Sequence, residues 1–328
     1  MRDFIEEESG GDTVRLVVTI PAYNEEKTIA DVIKKIPRDL NSCDEVKVLV
    51  LDDGSMDGTV QAAKDAGADK ILSHVHNLGL AITFRDALDG ALDMGADIIV
   101  NIDADGQYEP QEITKLIQPV IDDNADIVLG SRFKGYIEGM PLSKKLGNRV
   151  ATKIASRAAG KSFSDAQTGF RAFSKDAAMR LNIMSDFTYT QETLVQAVNK
   201  NLRISEVPVN FYKREGESRL FPNVWNYAKR GLSTLVRTYL YHKPLKTFLL
   251  IGGLVFAVGL ILGLRVLIHY LTTSMVTPLL PTSVFAAVLL IVGFQVIILA
   301  LIADLIRRNQ NVQEEILYRI KKNGSNRT

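Results

Sequence analysis

The chain has 328 residues, with 39 Lys and Arg against 38 Asp and Glu, and 46% of it is hydrophobic. A net charge of +1 makes no electrostatic case for nucleic acid as a partner. A single cysteine, Cys43 in a polar connector, excludes a disulfide framework within the chain and argues against a cysteine-based zinc site.

The opening segment "MRDFIEEESGGD" is acidic and has no continuous apolar core, so residues 1–13 form a tail that resembles neither a signal nor a transit peptide. From Arg15 short apolar runs alternate with amphipathic segments. "RLVVTIP" predicts a strand and "NEEKTIADVIKKI" a helix. "VKVLVLD" is a strand, "DGTVQAAKDAG" a helix and "KILSHV" a strand. "GLAITFRDALDGALDMG" is a helix, "ADIIVNID" a strand, "EPQEITKLIQPVIDD" a helix and "ADIVLGS" a strand. Near-continuous Val, Ile and Leu strands separated by helices predict an α/β domain with a Rossmann-like, mostly parallel sheet covered on both faces. Ligands of such sheets bind beyond the carboxyl ends of the strands, where "PAYNEE", "DDGSMDG" and "DADGQ" all fall.

Charge is unevenly placed: Asp97 to Asp126 is acidic, while Lys134 to Arg157 and Lys213 to Lys246 are basic. In residues 221–243, Val224, Ala228, Leu232, Leu235 and Tyr239 share one helical face and Lys229, Arg230 and Arg237 another, the pattern of a helix lying in a membrane interface or of an amphipathic helix packed on the first domain. Residues 244–306 then hold two apolar runs, about 247–271 and 284–306, each long enough to cross a hydrocarbon core of about 30 Å. Lys243 and Lys246 precede the first, Arg307 and Arg308 follow the second, and the linker "HYLTTSMVTPLLPTS" has neither Lys nor Arg. The positive-inside rule then predicts an integral protein of the cell membrane with two spans, both termini and the first domain being cytoplasmic. Asp304 is expected to pair with Arg307 or Arg308, and residues 307–328 to form a cytoplasmic tail.

Asp103 and Asp105 stand two residues apart just after a buried strand, with Gln107 close behind. Neighbouring carboxylates repel unless a cation lies between them. Their oxygens, with the Gln107 amide, suit Mg²⁺ or Mn²⁺, which also draws on substrate phosphates. A polar turn alone would use the same residue types. Tyr23 could stack on a base, Asn24 could cap the following helix, and Asp57 could cap the next; Asp52 and Asp53 exceed what a cap needs. No GKS or GKT follows "HNLGLA" and no GxGxxG follows the first strand, which argues against a kinase and against a dehydrogenase.

In this order and at these spacings, "PAYNEE", "VLVLDDGSMDGT", "HNLGLA", "NIDADGQYEP", "GSRF", "DAQTGFRAFS" and "KREGESRL" resemble the family 2 inverting glycosyltransferases of the GT-A fold, over residues 14–220. The resemblance is closer to the polyprenyl-phosphate (dolichol-phosphate) hexose synthases, whose membrane-anchored branch has paired C-terminal spans. It implies that Pro21, Tyr23, Glu25, Asp52, Asp53 and Asp103 bind the nucleotide sugar and that Asp103, Asp105 and Gln107 hold the metal. It further implies that Arg132, Lys145 and Arg149 meet the acceptor phosphate, the basic segment holding Lys145 and Arg149 forming an acceptor loop and a helix at the membrane surface, and that Arg214 and Arg219 close over the diphosphate or the acceptor phosphate, with Asp105 and Arg132 central to catalysis. The implied partners are a nucleotide sugar, UDP-hexose somewhat before GDP-mannose, a polyprenyl or dolichyl phosphate, membrane lipids and another copy of the chain, and no nucleic acid. Where many family 2 enzymes have an "ED" pair, this chain reads "YTQETLVQA", with Glu192 and no following Asp; a phosphate nucleophile needs no such base. QxxRW is absent, which disfavours a processive polysaccharide synthase. The remaining alternatives are a glycolipid or lipid-linked oligosaccharide acceptor and an inactive nucleotide-sugar-binding scaffold.

Overall fold

The structure, a computed structural model, describes residues 13–183, 189–213 and 244–325. The predicted interfacial helix at 221–243, with Arg214 and Arg219, lies outside the described residues. The chain divides into two units, Met1–Leu235 with Tyr318–Thr328, and Val236–Leu317.

In the first unit the strands are β1 (Arg15–Ala22), β2 (Glu45–Asp52), β3 (Lys70–Ser73), β4 (Ile98–Asn101), β5 (Ile127–Ser131), β6 (Arg171–Ser174) and β7 (Ile204–Pro208). The helices are α1 (Ile29–Lys35), α2 (Thr59–Asp65), α3 (Leu80–Asp93), α4 (Ile113–Ile121), α5 (Leu142–Ala159), α6 (Lys175–Arg180) and α7 (Thr190–Asn199). All seven strands form one sheet, in the order β3-β2-β1-β4-β6-β5-β7. The runs expected to be parallel are parallel. β6 lies outside those runs and is antiparallel to both β4 and β5.

Alternation along the strands divides the core into two layers. Leu16, Val18 and Ile20 of β1 point to the side of α1 and α4, where Ile29, Ile33, Leu116 and Ile117 meet them. Val17, Leu49 and Ile99 point to the other side, against Phe84 and Leu88 of α3, Ala155 of α5 and Leu194 of α7. The Phe84 and Tyr189 rings stack there, with centroids 3.7 Å apart. Thr19 is the polar interruption in β1, and its hydroxyl donates to Val100 O and Asn101 Oδ1 of β4. Also in this unit, Tyr318 Oη donates to Asp176 Oδ1 (2.7 Å) and Lys321 pairs with Asp89 (2.6 Å).

The second unit is a pair of helices, α8 (Pro244–Thr273) and the N-terminal part of α9 (Leu280–Ser325). Both are long and apolar enough to cross a membrane. Small residues hold them together. Cβ atoms added to Gly252 and Gly259 would stand 3.0 and 2.9 Å from backbone atoms of Gly293 and Leu290, and one at Gly293 would stand 2.6 Å from the Phe256 nitrogen. Ala286, Gly293 and Ala300 recur every seven residues, as do Gly252 and Gly259; the two alanines are buried. That is the spacing of a left-handed helix pair whose backbones approach closely. Leu250, Leu254, Phe285 and Leu299 face outward. Asp304 pairs with Arg308 one turn on, at 3.0 Å, as expected.

Candidate active site

The reversed strand explains how the site is assembled. Because β1, β2, β4 and β5 run the same way, Pro21, Asp52, Asn101 and Ser131 end at one edge of the sheet. β6 runs the other way, so it begins at that edge: Arg171 pairs with Asn101, and residues 165–169 lie just before it. The loop "DAQTG" thereby meets the loop "DADGQ". Asn101 Nδ2 ties them, donating to Gly169 O (2.8 Å) and Tyr189 Oη (3.0 Å).

Asp103 sits against Gly169, where an added Cβ would stand 2.6 Å from both carboxylate oxygens. Burial first, and then the neighbouring Asp105, push Asp103 up to about 7, while Arg132, Arg171 and Lys144 pull it back. Asp105 Oδ1 accepts from Gln107 N (3.1 Å). Gln107 Nε2 donates to Tyr212 O (3.2 Å), and Tyr212 N returns a bond to Gln107 O (2.8 Å), so the amide is oriented by the segment that follows β7. Among the described residues no group of three or more His, Cys, Asp or Glu could hold a metal ion. The site instead offers two hard carboxylates in a crowded, mutually repelling pair. That fits an ion completing its shell with water and substrate phosphate oxygens, as Mg²⁺ and Mn²⁺ do.

The residues expected to bind the nucleotide split into one that is exposed and several that build the loops. Tyr23 is 38% exposed at the end of β1, available for stacking. Asn24 does not cap α1: its Oδ1 accepts from Met56 N and its backbone N donates to Ser55 Oγ, both at 2.8 Å, so it joins the first loop to the second. Its φ of 55° is one that Asn tolerates better than most residues. Glu25 adds a further tie, its N donating to Thr59 Oγ1 (2.8 Å). Asp57 accepts from Thr59 N in a turn just ahead of α2, but the N-cap is Gly58, one residue later than expected. Asp52 closes its own turn on Ser55 N (3.2 Å). Asp53 is buried and accepts from Leu78 N (2.8 Å) and Gly79 N (2.9 Å), with His74 Nδ1 at 2.8 Å. Asp53 thus pins the "HNLGLA" loop to the end of β2.

Arg132 is held by Asp165. It is 5% exposed, and Asp165 accepts from its Nε (2.7 Å) and Nη2 (2.9 Å). Its Cζ also lies 5.2 Å from the Phe211 ring centroid. Burial opposes the charge, but Tyr108, Asp165 and Asp103 hold its pKa above the ordinary guanidinium value. Arg171 is wholly buried, donating to Thr168 O, Ala166 O and Thr193 Oγ1; burial lowers its pKa. Lys145 and Arg149 stand on α5, Arg149 over the Phe133 ring at 5.6 Å. Glu192 is buried and accepts from Gln196 Nε2 (3.2 Å). Sequence reasoning gave no roles to Asp165, Gly169 and Arg171. The available signal was an Asp and an Arg flanking Thr-Gly-Phe in a segment otherwise fit for a core.

A family model described as "Glycosyl transferase family 2" matches residues 17–181. The chain belongs to glycosyl transferase family 2. Among its relatives in this family, the UDP-N-acetylglucosamine–dolichyl-phosphate N-acetylglucosaminyltransferase of Methanococcus voltae is 35% identical over 218 residues, 59% of this chain and 84% of that one. Glycosyltransferase AglJ of Haloferax volcanii is 30% identical over 293 residues, 88% of this chain and 92% of that one. The polyprenol monophosphomannose synthase of Mycolicibacterium smegmatis is 28% identical over 214 residues, 62% and 79% of the two chains. The fold is that of glucosyl-3-phosphoglycerate synthase from Mycobacterium tuberculosis. A crystal structure of that enzyme with Mn²⁺, UDP and glucosyl-3-phosphoglycerate matches at a TM-score of 0.52 and 20% identity, covering 71% of this chain and 80% of that one. This family 2 chain is therefore a glycosyltransferase with a GT-A fold.

Proposed function

We propose that this glycosyltransferase moves a hexose from a nucleoside diphosphate sugar to the phosphate of a polyprenyl or dolichyl lipid at the cytoplasmic membrane face. UDP-hexose is favoured somewhat over GDP-mannose as donor. The observation that carries the reading is the Asp103–Asp105 pair at the carboxyl edge of β4, crowded by Gly169 and attended by the buried cations Arg132 and Arg171. The names of the Methanococcus and Mycolicibacterium relatives support a lipid-phosphate acceptor, and the two apolar helices support a membrane setting.

The residues divide the work as follows. Tyr23 packs on the base, and the loops cross-linked by Asn24 and Asp53 shape the nucleotide pocket. Asp103, Asp105 and the Gln107 amide would hold Mg²⁺ or Mn²⁺, which when bound offsets the negative charge of the departing diphosphate. Arg132, fixed by Asp165, supplies a preorganised positive charge beside Asp103 rather than an exposed fork; its field favours an anionic acceptor. Lys145 and Arg149 attract the lipid phosphate from α5. A phosphate oxygen attacks the sugar C1 in line as the C1–O bond to the nucleotide breaks, inverting C1 to give a β-linked lipid phosphosugar. The nucleophile is already an anion, so no proton needs removing, in keeping with Glu192 being buried against Gln196.

The test is a panel of labelled UDP- and GDP-sugars assayed in detergent with a polyprenyl phosphate, for the parent chain and Asp105→Ala. Product on the lipid phosphate, lost in the variant, supports the reading. Transfer only to a glycolipid or a lipid-linked oligosaccharide would replace the acceptor. Full activity in Asp105→Ala would remove the basis of the reading.

A further inference from the structure

Asn101 ends β4 and breaks its run of Ile98, Ile99 and Val100, and all four residues are buried. An amide in that place has two N–H donors and a carbonyl to satisfy away from water. Its oxygen accepts from the hydroxyl of Thr19, its register partner on β1, at 3.3 Å. Its nitrogen donates to Gly169 O and to Tyr189 Oη. A backbone carbonyl only accepts, so Gly169 fixes which way round the amide sits. Tyr189 Oη also leans on that carbonyl, donating to it at 3.5 Å, while its ring is held flat on Phe84 of α3. The rest of the loop is tied elsewhere. Arg171 takes the carbonyls of Ala166 and Thr168, and Thr152 Oγ1 accepts from Ala166 N. Asn101 and Tyr189 therefore converge on the one carbonyl of the residue against which the Asp103 carboxylate rests.

We propose that Asn101 is a positioning residue for the divalent cation. Asp103 and Asp105 repel each other, and that force drives Asp103 away from its neighbour and toward Gly169. A wall on that side keeps the two carboxylates within reach of one ion. Leucine or valine would complete the apolar run of β4, but neither would hold Gly169 O in place. A satisfied amide fixes both a distance and a direction, as the outer hydrogen bonds of metal sites do. Thr19 orients the amide from β1, two residues before Pro21, so the strand that carries the nucleotide loop braces the wall of the metal pair. The inference rests on the reading that Asp103 and Asp105 hold Mg²⁺ or Mn²⁺.

The experiment titrates Mn²⁺ into the full chain in detergent, with UDP and separately with GDP, and follows free Mn²⁺ by its electron paramagnetic resonance signal. No acceptor is present, so nothing turns over. Asn101→Leu should weaken Mn²⁺ binding by about 10-fold or more. Asn101→Val, well suited to a strand, should show the same loss and stands in if the leucine variant does not fold. Tyr189→Phe keeps the ring stack and the Asn101–Gly169 bond, and should lose less than either. In transfer assays the Asn101 variants should need more Mn²⁺ for half-maximal rate, with kcat largely restored at saturation. A lowered melting temperature with parental Mn²⁺ affinity would make Asn101 a purely structural residue and overturn the proposal. So would a loss confined to kcat. If the parent chain binds Mn²⁺ and the variants bind it equally well, the inference alone fails. If the parent binds none with either nucleotide, the metal reading fails and takes the inference with it.

Discussion

Asp165 grips Arg132 through both carboxylate oxygens, Oδ2 to Nε at 2.7 Å and Oδ1 to Nη2 at 2.9 Å, with both side chains buried. Removing one partner leaves a charge stranded away from water. Asp165→Ala should therefore cost about 3–5 kcal/mol of stability. The double variant Arg132→Met/Asp165→Leu should regain most of that stability without regaining transfer. Thermal unfolding in detergent beside a transfer assay checks both halves, and an active double variant would deny Arg132 a part in the chemistry.

Gly169 makes room for the Asp103 carboxylate. Gly169→Ala should displace it and reduce kcat/KM roughly 100-fold, about 2.7 kcal/mol of transition-state stabilisation. The melting temperature should change far less than in Asp165→Ala. Titration of Mn²⁺ in the presence of UDP should show weakened binding in the same variant.

Asp103 is raised to about 7 by burial and by Asp105. A carboxyl with a folded-state pKa above its unfolded value binds more protons in the native state between the two values, so its contribution to stability falls as pH rises through that window. In EDTA, Asp103→Asn should be more stable than the parent at about pH 8, with the difference vanishing toward about pH 4. Mn²⁺ with UDP should reverse the order at the higher pH. Protons and cation compete for the pair, so metal affinity should weaken below about pH 7. Melting curves and metal titrations across pH read these effects.

The hairpin depends on backbone approach at Gly293. Gly293→Leu should push α8 and α9 apart and lower the melting temperature of the detergent-solubilised chain by several degrees, because no rotamer avoids the Phe256 backbone. Leu250→Ile, on the outward face, should leave it unchanged.

The strands, the edge at which the loops gather and the two apolar helices were legible because each leaves a local mark: unbroken Val and Ile runs, turn residues, and about 20 apolar residues in a row. Asn24 was misread as a cap because an Asn before a helix looks alike whether it bonds forward along the chain or across to Met56. Arg132 and Asp165 are 33 residues apart, and only the reversal of β6 brings them together. No local period announces a reversed strand of four residues. A helical period says that Leu142, Leu146, Val150 and Ile154 of α5 share a side, and the structure adds that this side is exposed.

Leu142, Leu146, Val150 and Ile154 form an exposed apolar ridge along α5, which has a practical corollary. Cutting the chain ahead of α8 to obtain a tractable catalytic fragment would remove the obvious grease and leave four large aliphatic side chains in water. Such a fragment should still call for detergent, or for polar replacements at Leu142, Leu146 and Val150, before it behaves as a monodisperse sample.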